Sequence, residues 1–268
     1  MKTKYKIFVA KILSSFLRFF ISNIQEVKRN KIFWLLDLNE GIDLSIFLFG
    51  TFEKKILKLE KILKKQSNFC FLDIGANIGS VSLPLAKSFK NCKIFAIEPT
   101  DYAFRKLEKN LSLNSDIKAR VDLNQVFISN QKKPKKVWSS WNLNDKDDVH
   151  KTHKGKLMEV RENSYIALND FINMKGIEKV DFIKIDVDGY ELDVLKSGFE
   201  YLKENKPIIF IEIAPYLYPE FGYNVSELIG YIKNIGYDFH DDNLKKIKDT
   251  ELEIKNIKFG SSKNYFLY

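Results

Sequence analysis

The segment Phe71-Leu-Asp-Ile-Gly-Ala-Asn-Ile-Gly-Ser80 constrains the fold more than any other part of this chain. An apolar run ends beside a carboxylate, two glycines follow four residues apart, and residues 80–89 then read as a helix with Pro84 near its start. Strand, glycine turn and helix form the opening of a βαβ unit, and the chain keeps that rhythm. Further strands are expected at 93–97, 120–128, 180–185, 208–213 and around 265–268, with helices at 101–113, 191–199 and 226–235. The runs Phe182-Ile-Lys-Ile and Ile208-Ile-Phe-Ile-Glu-Ile are apolar almost throughout, as in strands covered on both faces. The expectation is an α/β domain over 69–268 with a mostly parallel sheet and helices on both faces, preceded by a lead-in at 1–68.

Charge separates the same two parts. The chain holds 44 Lys and Arg against 35 Asp and Glu, but 14 against six of these fall in residues 1–68 and 30 against 29 in the remainder. The larger part is nearly neutral, which argues against a nucleic-acid partner. Two cysteines, Cys70 and Cys92, cannot frame a disulfide scaffold.

Within residues 5–24 the longest charge-free run is six residues, too short for a membrane-spanning helix, and Lys11 interrupts the apolar region that a signal peptide needs. Ile12, Phe16, Phe19, Phe20 and Asn23 recur at helical spacing. The helix would pack on its own domain, on a partner subunit (a second copy included), or on an anionic membrane surface; a cleaved signal is the remaining reading. The location expected is the cytoplasm, with or without peripheral contact to the inner membrane. Residues 32–36 and 44–49 read as short strands or a hairpin around Asn39-Glu40-Gly41, and 53–66 as a helix with Ile56, Leu59 and Leu63 on one face. Residues 130–163, with Trp138 and Trp141, read as a polar insertion or loop-rich hairpin.

The glycine turn is Gly75-x-x-x-Gly79 rather than G-x-G-x-x-G, and Asp73 precedes it. A carboxylate there repels a pyrophosphate and suits an ammonium, which points to a ligand such as S-adenosylmethionine. Glu98 ends the next strand, 19 residues beyond Gly79, where an acid can accept from a ribose diol. Asp186, Asp188 and Glu191 follow a later strand, with Lys184 two residues back on the same side as Asp186. Asp186 or Glu191 is a candidate base toward an acceptor hydroxyl, while Asp188 and Glu191 also suit a helix N-terminus. Glu212 ends the following strand and is a candidate for the acceptor side. Two or three carboxylates are a donor set for Mg²⁺, but Lys184 opposes a cation and no metal is expected. His150, His153 and His240 are expected in exposed loops.

Asp73-Ile-Gly75-Ala76-Asn77-Ile-Gly79, Glu98-Pro99, Leu107-Glu-Lys-Asn110-Leu-Ser-Leu-Asn114, Asp181-Phe-Ile-Lys184-Ile-Asp186-Val-Asp188-Gly189-Tyr-Glu191 and Pro207-Ile-Ile-Phe-Ile-Glu212 together resemble the FkbM family of class I, S-adenosylmethionine-dependent methyltransferases. The resemblance covers about 69–240. It implies a Rossmann-like sheet of seven strands with helices on both faces, the N-terminal helix being an extension. It also implies cofactor contacts from Asp73, Gly75, Ala76, Asn77, Gly79, Glu98, Pro99, Gln125 and Asp186, and catalytic roles among Asp186, Asp188, Glu191 and Lys184. The chain departs from the family at Asp188, where a Glu is usual, and at Asn169, where an Asp is usual. The expected reaction is methyl transfer to a hydroxyl of a glycan or small molecule, a sugar of a bacterial surface polysaccharide or glycolipid in the first place. A secondary-metabolite or lipid acceptor, and a non-catalytic scaffold subunit, are the alternatives.

Overall fold

The computed structural model describes residues 3–17, 19–53, 56, 68–130, 136–139, 149–152, 155–160 and 164–268. The expected lysine-rich helix at 53–66, apart from Glu53 and Ile56, lies outside these residues, as do Trp141 and His153.

The glycine-turn strand β3 (Phe69–Ile74) lies near the middle of a seven-stranded sheet. On one side β3 pairs in parallel with β4 (Cys92–Ile97), and β4 with β5 (Val121–Asn124). On the other side β3 pairs in parallel with β10 (Phe182–Ile185), and β10 with β11 (Ile208–Ile213). The final strand β13 (Lys263–Leu267) runs antiparallel between β11 and β12 (Phe239–His240). Helices α3 (Ser82–Ser88), α4 (Asp101–Ser112), α6 (Glu191–Ser197) and α8 (Val225–Asn234) fall within two residues of the expected ranges at their starts and ends. Two core clusters cover the two faces of the sheet. One holds Leu72, Ile183, Ile209 and Ile211; the other holds Phe71, Ile94, Phe182 and Phe210.

The chain moves from β3 outward to β5, then returns to β10 on the other flank. The connections leaving β3 and β10 therefore part in opposite directions, and this is the point where open α/β sheets bind ligands. The strand expected at 120–128 is split: after β5, β6 (Phe127–Ile128) leaves the sheet and pairs with β9 (Tyr165–Ile166). Residues 136–139 and 156–159 form an antiparallel hairpin, β7 and β8.

The lead-in differs from the expectation in its register. Helix α1 spans Thr3–Leu17, so Phe19 and Phe20 fall beyond its end. The hairpin is β1 (Ile24–Arg29) and β2 (Ile32–Asp37), turning at Asn30 and Lys31, which both hold positive φ. The expected strand at 44–49 is instead helix α2 (Gly41–Phe49), closed by Gly50 in the left-handed region. A short apolar run reads equally as buried strand or buried helix, and packing decides between them.

Trp34 and Leu36 of β2 are fully buried in the same cluster as Phe71 and Phe182, so the hairpin completes one face of the sheet. The backbone of β2 is paired by two asparagines, Asn110 in the last turn of α4 and Asn114 two residues past its end. Asn114 Oδ1 accepts from Phe33 N at 2.9 Å and its Nδ2 donates to Phe33 O at 2.7 Å. Asn110 Oδ1 accepts from Leu35 N at 2.8 Å, while its Nδ2 donates to Ile78 O in the glycine turn at 3.1 Å. Asn110 thus joins the lead-in to the turn, and the Asn110→Ala variant should lose about 1–3 kcal/mol of stability by urea unfolding, since both partners become unsatisfied.

Candidate active site

A cavity of about 740 Å³ opens at the carboxyl ends of β3, β4, β10 and β11. Of the residues expected from sequence, Gly75, Asn77, Glu98, Pro99, Lys184, Asp186 and Asp188 line it, and Glu212 joins them. Asp73, Ala76, Gly79, Gln125 and Glu191 do not line it.

Asp73 is fully buried beneath the turn. Its Oδ2 accepts from Ser82 Oγ at 2.6 Å and its Oδ1 lies 3.3 Å from Lys184 Nζ. Lys184 is the register partner of Asp73 across β3 and β10, so both side chains rise on the same side of the sheet. Its ammonium also donates to Gly75 O at 2.9 Å and lies 3.5 Å from Asp186 Oδ2. Burial opposes that charge, yet Asp186 and Asp73 outweigh it and hold the ammonium above its ordinary range. Gly75 (φ +82°) is crossed closely by the β10 loop: a Cβ there would stand 1.9 Å from the carbonyl oxygen of Asp186.

Glu98 is buried at the end of β4. One carboxylate oxygen accepts from Asn77 N at 3.0 Å, and the other from Thr100 N at 3.0 Å and Thr100 Oγ1 at 2.6 Å. Burial raises its pKa. Beyond it, Val126, Phe127 and Ile128 give the cavity an apolar wall where Gln125 was expected. Gln125 instead donates to Asp101 Oδ1.

The loop after β10 places its acids in opposite directions. Asp188 sits in the left-handed region (φ +47°) before Gly189 (φ +108°), where a Cβ would meet the Phe221 ring at 2.2 Å. Asp188 faces the cavity, while Glu191 turns under the loop. One Glu191 oxygen accepts from Val187 N and Gly189 N, each at 3.3 Å, and Tyr223 OH donates to the other at 3.5 Å. Of the two roles that the sequence leaves open for Glu191, a base toward the acceptor or a carboxylate at the helix N-terminus, its side chain takes the second and is spent on the loop backbone. Burial pushes its pKa up to about 7. Glu212, at the end of β11, accepts from Ser262 Oγ at 2.6 Å. Burial and then the neighbouring acids raise Asp188 and Glu212 well above the usual carboxylate range: Asp186 and Glu191 act on Asp188, Asp186 and Asp188 on Glu212.

Several lining residues carry no sequence motif. Ile42, Ser45 and Phe49 on one face of α2, with Phe52 and Glu53, form one wall. Trp138 of the β7–β8 hairpin, Tyr190 and Tyr216 form another. His150 is buried rather than exposed. Thr152 N donates to its Nδ1 at 3.2 Å, which leaves Nε2 to donate to Glu220 Oε1 at 2.9 Å, and its ring meets Trp138 edge-on at 5.0 Å. His240 is also buried, stacked on Tyr268 at 3.7 Å and distant from the cavity lining. Asn169 accepts from Tyr201 N at 3.3 Å, so its departure from the family pattern falls outside the cavity. Among the described residues no group of three His, Cys, Asp or Glu is placed to hold a metal ion.

Sheet order and cavity position define a class I methyltransferase fold. The solved methyltransferase domain of METTL16 shares it, with a TM-score of 0.51 at 12% identity over 97% of this chain and 91% of that one. The methyltransferase FkbM domain matches residues 73–239, and the chain belongs to that family. Methyltransferase sdnD of Sordaria araneosa is 29% identical over 158 residues, 49% of this chain and 61% of that protein. The 2-O-methyltransferase NoeI of Sinorhizobium fredii (strain NBRC 101917 / NGR234) is 27% identical over 150 residues, 50% and 59%. These matches span about six-tenths of each relative's length.

Two outcomes follow for the acids and their cation. Lys184→Met leaves Asp73 buried beside no cation and should cost about 3–5 kcal/mol in chemical denaturation. Glu191 holds its proton more tightly folded, at about 7, than at its ordinary 4.5, so its contribution to stability is complete below pH 4.5 and lost as pH rises toward 7. In Glu191→Gln, urea midpoints should change less between pH 4.5 and 7 than in the parent chain.

Proposed function

We propose that the chain is an S-adenosylmethionine-dependent O-methyltransferase whose acceptor is a sugar hydroxyl of a glycan or glycolipid. One observation carries the reading. The glycine turn and Glu98 meet, in a single cavity, two acids, Asp188 and Glu212, whose proton affinity is raised by burial and by the neighbouring carboxylates. Family membership supports methyl transfer, and NoeI is named for methylation at oxygen. The cavity volume is at the large end for small-molecule sites and suits a cofactor with one acceptor ring.

The donor set fits the cofactor. Glu98 offers carboxylate oxygens to the ribose diol, Val126, Phe127 and Ile128 an apolar face to the adenine, and Asp186 a negative charge to the cationic end. Asp73 acts through Lys184 and Ser82, fixing the turn rather than meeting the ligand. When bound, S-adenosylmethionine supplies an electrophilic methyl group on sulfur. Trp138, Tyr190 and Tyr216 present aromatic surface that orients a sugar ring. A hydroxyl that accepted this methyl group would release its proton, and the Asp188–Glu212 pair would stand to receive it. Glu212 serves as the accepting end, steadied by Ser262.

Transfer of tritium from labelled cofactor to crude glycan tests the activity; cofactor binding without any transfer would favour a scaffold. Glu212→Gln should lower kcat by about 10²–10⁴ and displace the acidic limb of the pH–rate profile, with cofactor affinity by calorimetry unchanged. Glu98→Ala should instead weaken cofactor binding, and equal affinity in that variant would refute its assignment.

A further inference from the structure

Phe16, Phe19 and Phe20 stand 64%, 86% and 68% exposed, and they touch each other edge-on with ring centres 5.2 and 5.4 Å apart. Single exposed rings are ordinary, whereas three assembled ones make a patch that water disfavours. The segment carrying them is anchored. Ser14 Oγ donates to Leu38 O at 2.8 Å, and Ala10, Leu17 and Ile21 pack on Leu38 and Leu44. The rings are therefore presented outward by a docked element.

The sequence up to Glu26 carries charge of one sign. Lys2, Lys4, Lys6, Lys11 and Arg18 precede the first acid of the chain, Glu26. Four residues past Phe20, exposed Ile24 lines a groove of about 280 Å³ against α4, with Leu35 and Tyr102 as its apolar lining, Arg105 and Lys109 at its side, and Asp37 as its one acid, which accepts from Asn39. Arg105 and Lys109 are four apart on one helix face, and neither has an ion pair among the described residues. Lys106 between them is instead consumed by Asp43 at 2.7 Å and Glu40 at 3.4 Å.

We propose that this face docks the protein on an anionic bilayer, with the phenylalanines in the interfacial region and Arg105 and Lys109 against lipid phosphates. A second copy of the chain fits less well, because a two-fold contact would set these cations against their own equivalents. The docked surface also adjoins the cavity. Leu44 of α2 packs under α1, while Ile42, Ser45 and Phe49 on the other side of α2 line the cavity wall, so lipid contact would hold that wall at the membrane surface.

Sedimentation of the full chain with phosphatidylcholine vesicles, with and without phosphatidylglycerol, tests this without reference to any acceptor. Binding should require phosphatidylglycerol and weaken with salt. It should fall by about tenfold or more in the combined Phe16→Ser, Phe19→Ser, Phe20→Ser variant and in Arg105→Glu with Lys109→Glu. Both variants should keep the parent thermal midpoint, since every substituted side chain is exposed or unpaired; a lowered midpoint would show that the patch serves the fold instead. Absence of vesicle binding, equal binding to neutral vesicles, or a ring-dependent doubling of mass in light scattering would overturn the proposal.

Discussion

One buried ammonium organises the cavity end of this protein. Lys184 reaches Asp73, Asp186 and the carbonyl of Gly75 from a central strand, and so ties the turn after β3 to the loop after β10. A lone buried charge would be expensive; two carboxylates and a carbonyl make it tolerable, and the geometry they require is what the arrangement secures. Since both strand ends are held together, the β10 loop crosses Gly75 at a distance no side chain permits. The cavity opens beside that crossing, where the chain reverses its direction of travel across the sheet.

The lead-in depends on the same region. Asn110 joins β2 to the glycine turn, and Trp34 and Leu36 fill the sheet face below it. Helix α2 then places one side toward the cavity and the other beneath α1. Residues that look like an appendage in sequence thus form one wall of the cavity, and the Trp138 hairpin contributes to another.

The acids near the cavity work by opposed demands. Glu191 satisfies loop backbone donors, which lets Asp188 occupy a left-handed position and face inward. Asp188 and Glu212, drawn into a poorly solvated space near Asp186, resist ionisation together. One cavity therefore holds these acids together with the glycine turn and Glu98.

Most of the order of strands and helices from Phe69 to Ile235 was legible because apolar periodicity and glycine turns are local signals; the short helices Leu168–Met174 and Phe199–Asn205 and the break after β5 were not. The helix at 41–49 was not, because a short apolar run suits either structure until its neighbours are known. Nor was the separation of the acids legible. Asp73 and Glu191 are as acidic in sequence as Asp186 and Asp188, yet Lys184, Ser82 and the loop amides draw the first two inside. Sequence by itself determined the sheet, the turn and the acids available to the site. Only the tertiary structure decided which of them face the cavity, because that depends on partners brought from strands and loops more than a hundred residues apart, such as Asp73 and Lys184.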